Sequence, residues 1–157
     1  MPSYIDRLED NLNKKTGILD NILESDRRFE DNFNPETSEF EEYDAYLDDQ
    51  NSYMAMLDEL DQEYDEIYSY LSEHRNEVDI LPPARKKSVN DLAAGIGERI
   101  QAVNALEIRI KSISDQFFEN RKQQIAGTRK NARMIQNHYR SMPSAISSED
   151  SILNITN

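Results

Sequence analysis

The feature that most constrains this chain is a run of roughly sixty residues, Pro83 to Met142, bounded by proline at both ends and free of it between. Val89, Leu92, Ile96, Val103, Leu106, Ile110, Ile113 and Phe117 recur there, mostly at alternating spacings of three and four. That spacing holds side chains on one stripe of a helix. A second stripe at sevens passes through Phe118, Ile125, Ala132 and Tyr139. The run reads as one helix, about 90 Å long if unbroken at 1.5 Å per residue. An apolar stripe of that length needs other helices laid along it.

Two more helices precede it. Over 3–33, Ile5, Leu8, Leu12, Leu19, Ile22, Phe29 and Phe33 keep a strict three–four alternation, with Lys15 and Asp26 as polar members of the same register. Ser3 is the expected N-cap, and Pro35 disfavours helix at the residue before it. Over 36–81, Ser38 followed by Glu41 has the form of a capping box. Phe40, Tyr43, Leu47, Met54, Leu57, Tyr64, Tyr68 and Leu71 form one seam, and Tyr46, Tyr53, Leu60 and Ile67 a second beside it. Two adjacent seams call for two partners, because one coiled-coil partner covers only a narrow stripe. The expectation is an all-α fold, an elongated antiparallel three-helix bundle or coiled coil with helices over about 3–33, 36–81 and 83–142. One domain spans 1–142, and the Ser- and Asn-rich residues 143–157 form a flexible, disordered tail.

Folding back at Pro82-Pro83 places residue n of the second helix near residue 165 − n of the third, within a turn. Glu41, Glu42, Asp44, Asp48 and Asp49 then fall beside Arg121, Lys122, Arg129 and Lys130. The first helix is expected to cover about 37–65 of the second. Residues 66–100 become a bare two-helix tip weakened by Gly95 and Gly97, and 130–142 an overhang with Gly127 near its start.

Charge follows the same division. Residues 1–81 hold 24 acidic and 6 basic side chains, and residues 82–157 hold 7 and 12, for a net −13. Such an acidic field opposes nucleic acid. There is no cysteine, hence no disulfide or thiolate metal site. No apolar run approaches the length of a membrane span, and the charged first ten residues do not form a signal peptide, so no membrane insertion and a cytosolic location are expected. Mean hydropathy is −0.84, which suits a slender bundle with much wet surface.

Signals for chemistry are sparse. His74 and His138 are the two histidines, and Leu71 and Ile135 stand where a di-iron bundle would place glutamate. Gly95-Ile96-Gly97 follows no strand, and Asn154-Ile155-Thr156 matches a glycosylation sequon that acts only on a secretory route. The carboxylates fall on polar helix faces. The expectation is no enzyme and no cofactor. What stands out is amphipathic surface: Phe117, Phe118, Ile125, Ile135, Tyr139 and Met142 lie where the first helix runs out, and form a candidate partner groove. The plainer alternative for Phe117 and Phe118 is that they complete the core with Phe29, Phe33 and Phe40.

Three blocks also resemble one family. They are Tyr4-Ile5-Asp6-Arg7-Leu8 with Lys14-Lys15-Thr16-Gly17-Ile18-Leu19-Asp20; Phe40 through Leu57-Asp58-Glu59-Leu60-Asp61 with Tyr64 and Ile67-Tyr68; and Asn104-Ala105-Leu106-Glu107 with Phe117-Phe118, Arg121-Lys122, Ile125 and His138-Tyr139-Arg140-Ser141-Met142. Together they resemble the flagellar type III export chaperones of the FlgN/FliT kind, in the variant associated with clostridial flagellar operons. The resemblance implies a cytosolic chaperone that holds a late-exported flagellar subunit, a hook–filament junction or cap protein. It implies delivery of that subunit to the export apparatus, with Tyr139 as a contact to the export gate. The competing expectation is a structural coiled coil or adaptor that self-associates, as a homodimer, through the overhang.

Overall fold

The computed structural model describes residues 2–122 and the single position Asn137. Four helices follow in order: α1 (Tyr4–Asn32), α2 (Phe40–Glu73), α3 (Arg75–Asp79) and α4 (Pro83–Arg121). No strand occurs among the described residues, and the fold is an all-α bundle. The overhang at 130–142 and the tail at 143–157 lie outside the described residues, Asn137 apart.

α1 starts where the sequence places it. The Ser3 hydroxyl accepts from the Asp6 N–H, and the Asp6 carboxylate accepts from the Ser3 N–H, closing a reciprocal capping box. Its three–four stripe is buried throughout, including Lys15 and Asp26. At the far end the chain turns through Asn34–Ser38. There the Ser38 hydroxyl accepts from the Asn34 N–H at 2.9 Å. Ser38 is therefore occupied by the turn and does not cap α2. The N-cap is Glu39, with no side-chain hydrogen bond, which corrects the expected capping box.

The second helix is also shorter than expected. It stops at Glu73, because His74 leaves helical geometry and donates its N–H to the Tyr70 and Leu71 carbonyls. The His74 ring stacks on Tyr70 with centroids 4.0 Å apart. α3 then makes one more turn before Pro82-Pro83, with Pro83 in the first turn of α4. The reversal is thus centred several residues before the prolines. Tyr43 accordingly faces Ser114, Phe117 and Phe118, where the simple pivot places residue 122. The pairing is shifted by one to two turns.

The organising helix is α1, not the long C-terminal one. It packs antiparallel to α2 and parallel to α4. Three ion pairs mark the parallel register: Arg85–Asp6, Arg99–Asp20 at 2.7 Å and Arg109–Glu30 at 2.5 Å, each 79 positions apart. Against α2, Tyr4 stacks on Tyr70 with centroids 3.7 Å apart, and Arg7 meets Glu66 at 3.5 Å. α1 therefore reaches almost to the hairpin end of the bundle, and the expected bare tip over 66–100 does not exist. Gly95 and Gly97 lie inside an uninterrupted α4. The expected charge matching between the acidic face of α2 and Arg121 is replaced as well. Arg121 donates to the Ser38 carbonyl at 2.6 Å and sits over the Phe117 ring, while the other arginines of α4 reach α1. Exposed pairs of this kind contribute about 0–1 kcal/mol each, so they select register more than they stabilise.

The core holds the leucine, isoleucine and valine of all three long helices, with α2 burying both its seams. Within it Lys15 is fully buried, 3.0 Å from Asp61 and with its ammonium 4.4 Å from the Tyr64 ring centroid. One turn away, Asn11 donates to the Leu60 carbonyl at 2.9 Å. The two partners of the ion pair differ in exposure: Asp61 keeps 16% of its side-chain surface and can turn to water, whereas Lys15 cannot. Asp61→Ala is therefore expected to destabilise by about 2–4 kcal/mol, and Lys15→Met by clearly less. Urea unfolding of the two variants measures this, and equal losses would refute the asymmetry.

Candidate functional site

The end of the bundle opposite the hairpin is built of rings. Phe29 and Phe33 come from α1 and its C-cap, Phe40, Tyr43 and Tyr46 from the first two turns of α2, and Phe117 and Phe118 from the last turn of α4. They converge because α1 ends, α2 begins and α4 runs past at one level. Tyr43 stacks on Phe117 at 5.6 Å, and Phe33 and Phe40 approach Phe117 edge-on, each at 5.0 Å. Such contacts add about 0.5–1.5 kcal/mol per pair beyond the area they bury. The Tyr43 hydroxyl donates to the Ser114 hydroxyl, which in turn donates to the Ile110 carbonyl. Two bonds tie the α1–α2 turn to α4: Asn120 to the Pro35 carbonyl, and Arg121 to that of Ser38.

This geometry divides the candidate groove residues. Phe117 is fully buried at the centre of the ring cluster and belongs to the core, so it offers no surface to a partner. Phe118 is half-buried, 5.3 Å from Tyr43 and 5.9 Å from Phe40. With Phe40, Leu47 and Ile113, all half-buried, it forms an accessible apolar ledge on the cluster. Ile125, Ile135, Tyr139 and Met142 lie outside the described residues.

Directly beneath the rings lies a polar layer that the sequence reading only half found. Asp26 is fully buried. Its carboxylate accepts from the Tyr46 hydroxyl at 2.7 Å and from the Gln50 amide at 3.1 Å. Tyr46 in turn stacks on Phe29 at 4.2 Å, which joins the layer to the ring cluster. The fourth member is Glu107 of α4, also buried, with its carboxyl beside that of Asp26. Each long helix thus supplies at least one polar group to a single level of the core. Glu107 was legible: it stands four residues after Val103 and three before Ile110, a strict core position. Gln50 likewise stands seven residues from both Tyr43 and Leu57.

Two carboxyl groups in one dry layer cannot both ionise cheaply. Burial pushes Glu107 up to about 9, with the neighbouring Asp26 charge acting in the same direction. Burial also raises Asp26, to about 6, against the lowering effect of its bonds from Tyr46 and Glu107. Near pH 7 the Glu107 carboxyl keeps its proton beside the Asp26 carboxylate. The folded chain then holds protons that the unfolded chain releases near 4, so this layer loses stability as pH rises from about 4 toward 9. Glu107→Gln puts an amide donor beside Asp26 and removes the titration. It is expected to flatten the fall between pH 6 and 9 and to stabilise at pH 9 by about 1–3 kcal/mol. Thermal unfolding across pH measures both, and parallel profiles for variant and parent would refute the raised titration of Glu107.

Among the described residues, no group of three His, Cys, Asp or Glu side chains is placed to hold a metal ion, and no helix is long and apolar enough to cross a membrane. Comparison with protein-family models, with curated proteins and with solved structures finds no match to this chain.

Proposed function

We propose that this chain is a holding chaperone of the flagellar type III export kind, acting in the cytosol without catalysis or cofactor. It binds an amphipathic helix of a late-exported subunit, a hook–filament junction or cap protein, and carries it to the export apparatus. The observation that supports this most is the half-open ledge of Phe40, Leu47, Ile113 and Phe118. It sits at the end of the bundle from which the chain continues toward Ile125, Ile135, Tyr139 and Met142, the remaining residues of the proposed groove. An apolar ledge continued by apolar positions suits a surface that shields another protein's apolar face before assembly. The sequence resemblance supports the same role and assigns Tyr139 to the export gate.

A self-associating adaptor is the second reading. Ile108, 73% exposed on α4, favours it as a contact between copies.

The test is co-purification from a flagellated cell with Phe118→Asp as the variant, since Phe118 is half-buried and the rings beneath it remain. The parent is expected to retain a flagellar subunit, and the variant to lose it at unchanged helix content. Recovery of this chain alone, in an assembly broken by Ile108→Asp, would establish the adaptor instead.

A further inference from the structure

A second surface lies on the other side of α1, along its seam with α2. Two hollows of about 580 and 230 Å³ open there, and neither is lined by α4. They share one line. On α1 they run past Lys14, Asn21 and Arg28, and on α2 past Glu42, Asp49, Met56 and Glu63, all at intervals of seven. Positions seven apart stay on one helix face, so the two hollows lie in line along the α1–α2 seam. From Lys14 to Phe33 it runs about 28 Å at 1.5 Å per residue.

The floor is apolar. Ile18 and Leu60 lie at one end, and Phe29 and Tyr46 at the other. Met56 stands 46% exposed in this groove although most of the large apolar side chains of α2 are buried or half-buried. Gly17 leaves open space where a side chain would stand, since nothing lies within 4 Å of a Cβ built there.

The two walls differ in charge. α2 carries twelve acidic side chains and no lysine or arginine. Asp61 and Glu66 meet cations on α1, but Glu42, Asp49, Glu59 and Glu63 along the groove make no ion pair among the described residues. On the α1 wall, Lys14 and Arg28 pair with Asp10 and Glu24 of their own helix, and Lys14 also feels the charge of Glu63 across the groove. The groove therefore has an apolar floor, one acidic wall whose carboxylates make no ion pair among the described residues, and one wall whose cations are paired within α1.

We infer that this groove takes an amphipathic helix of another protein, about 20 residues long, with an apolar stripe toward Met56 and Ile18 and a lysine- or arginine-rich edge along α2. A straight channel between two antiparallel helices accepts a third helix more readily than an extended strand, because no sheet edge offers backbone bonds. The inference rests on the holding role proposed above and places a client-binding surface apart from the Phe118 ledge.

The test uses the full chain, isotope-labelled for amide mapping, and a synthetic helix of about 20 residues with leucine at heptad core positions and lysine on one flank. A peptide with glutamate on that flank and a scrambled lysine peptide serve as controls. Saturable binding is expected, with the largest shifts around Gly17, Ile18 and Met56. Glu59→Lys with Glu63→Lys, both outside the core, is expected to weaken binding about tenfold at unchanged helix content. The glutamate-flanked peptide is expected not to bind. Equal binding by the scrambled peptide, indifference to the double variant, or self-association through this groove would overturn the inference. Shifts centred on Phe118 would overturn it too and leave the holding role standing. Failure to bind any peptide would overturn it as well, while co-purification with Phe118→Asp judges the holding role independently.

Discussion

One buried polar layer governs how the three long helices can meet. Tyr46 and Gln50 donate to Asp26, and the buried Glu107 carboxyl lies beside it, so that α1, α2 and α4 all contribute to one polar level. A slide of any helix by one turn would leave a buried carboxyl facing leucine or isoleucine, which is far costlier than a mismatched apolar contact. Apolar stripes alone do not discriminate in this way, because one leucine layer resembles the next. The layer thus excludes registers that the hydrophobic effect would accept, and does so at some cost in stability. The buried Lys15–Asp61 pair repeats the device between α1 and α2 nearer the hairpin.

With register set there, the rest follows. α1 becomes the shared strut, facing α2 on one side and α4 on the other. The arginines of α4 find the carboxylates of α1 at a constant offset, and the helix ends come level where the seven rings gather. Closing that end with large flat side chains uses up Phe117 but leaves Phe118 and Phe40 partly open. The acidic charge of α2, met by α1 through the Arg7–Glu66 and Lys15–Asp61 pairs, is otherwise carried outward to solvent. The same layout that stabilises the bundle therefore leaves it with two surfaces of different character: an aromatic ledge at one end and an acid-walled groove along one side.

Much of this was legible in the residues. The three–four alternation located the long helices, Ser3 and Pro35 bounded the first, and the paired seams of the second required two neighbours. What escaped had physical reasons. No proline or glycine marks the break at His74; its ring stacks on Tyr70 and its backbone bonds close the helix, which spacing does not reveal. That break moved the pivot and with it every expected α2–α4 pair. The reach of α1 was underestimated because Tyr4–Tyr70 stacking is a tertiary contact without a local signal. Ser38 and Glu41 had the form of a cap, yet a neighbouring turn claimed the hydroxyl. Of the candidate groove, the burial of Phe117 followed from its place in the same stripe as Ile110, whereas its neighbour Phe118 lies off that stripe. Glu107 and Gln50 stood at core positions and were passed over because charged and amide residues are expected outside.

The most direct test of the central claim measures register itself. The chain has no cysteine, so nitroxide labels can be placed on cysteines introduced at exposed Asn13 of α1 and Asn104 of α4, and the distance between them recorded by pulsed electron resonance. In the parent a single narrow distribution is expected. With Asp26, Gln50 and Glu107 all replaced by leucine, a bundle of equal or greater stability is expected, with a broadened or multiple distribution. A distribution that stays single and narrow without the polar layer would contradict the account.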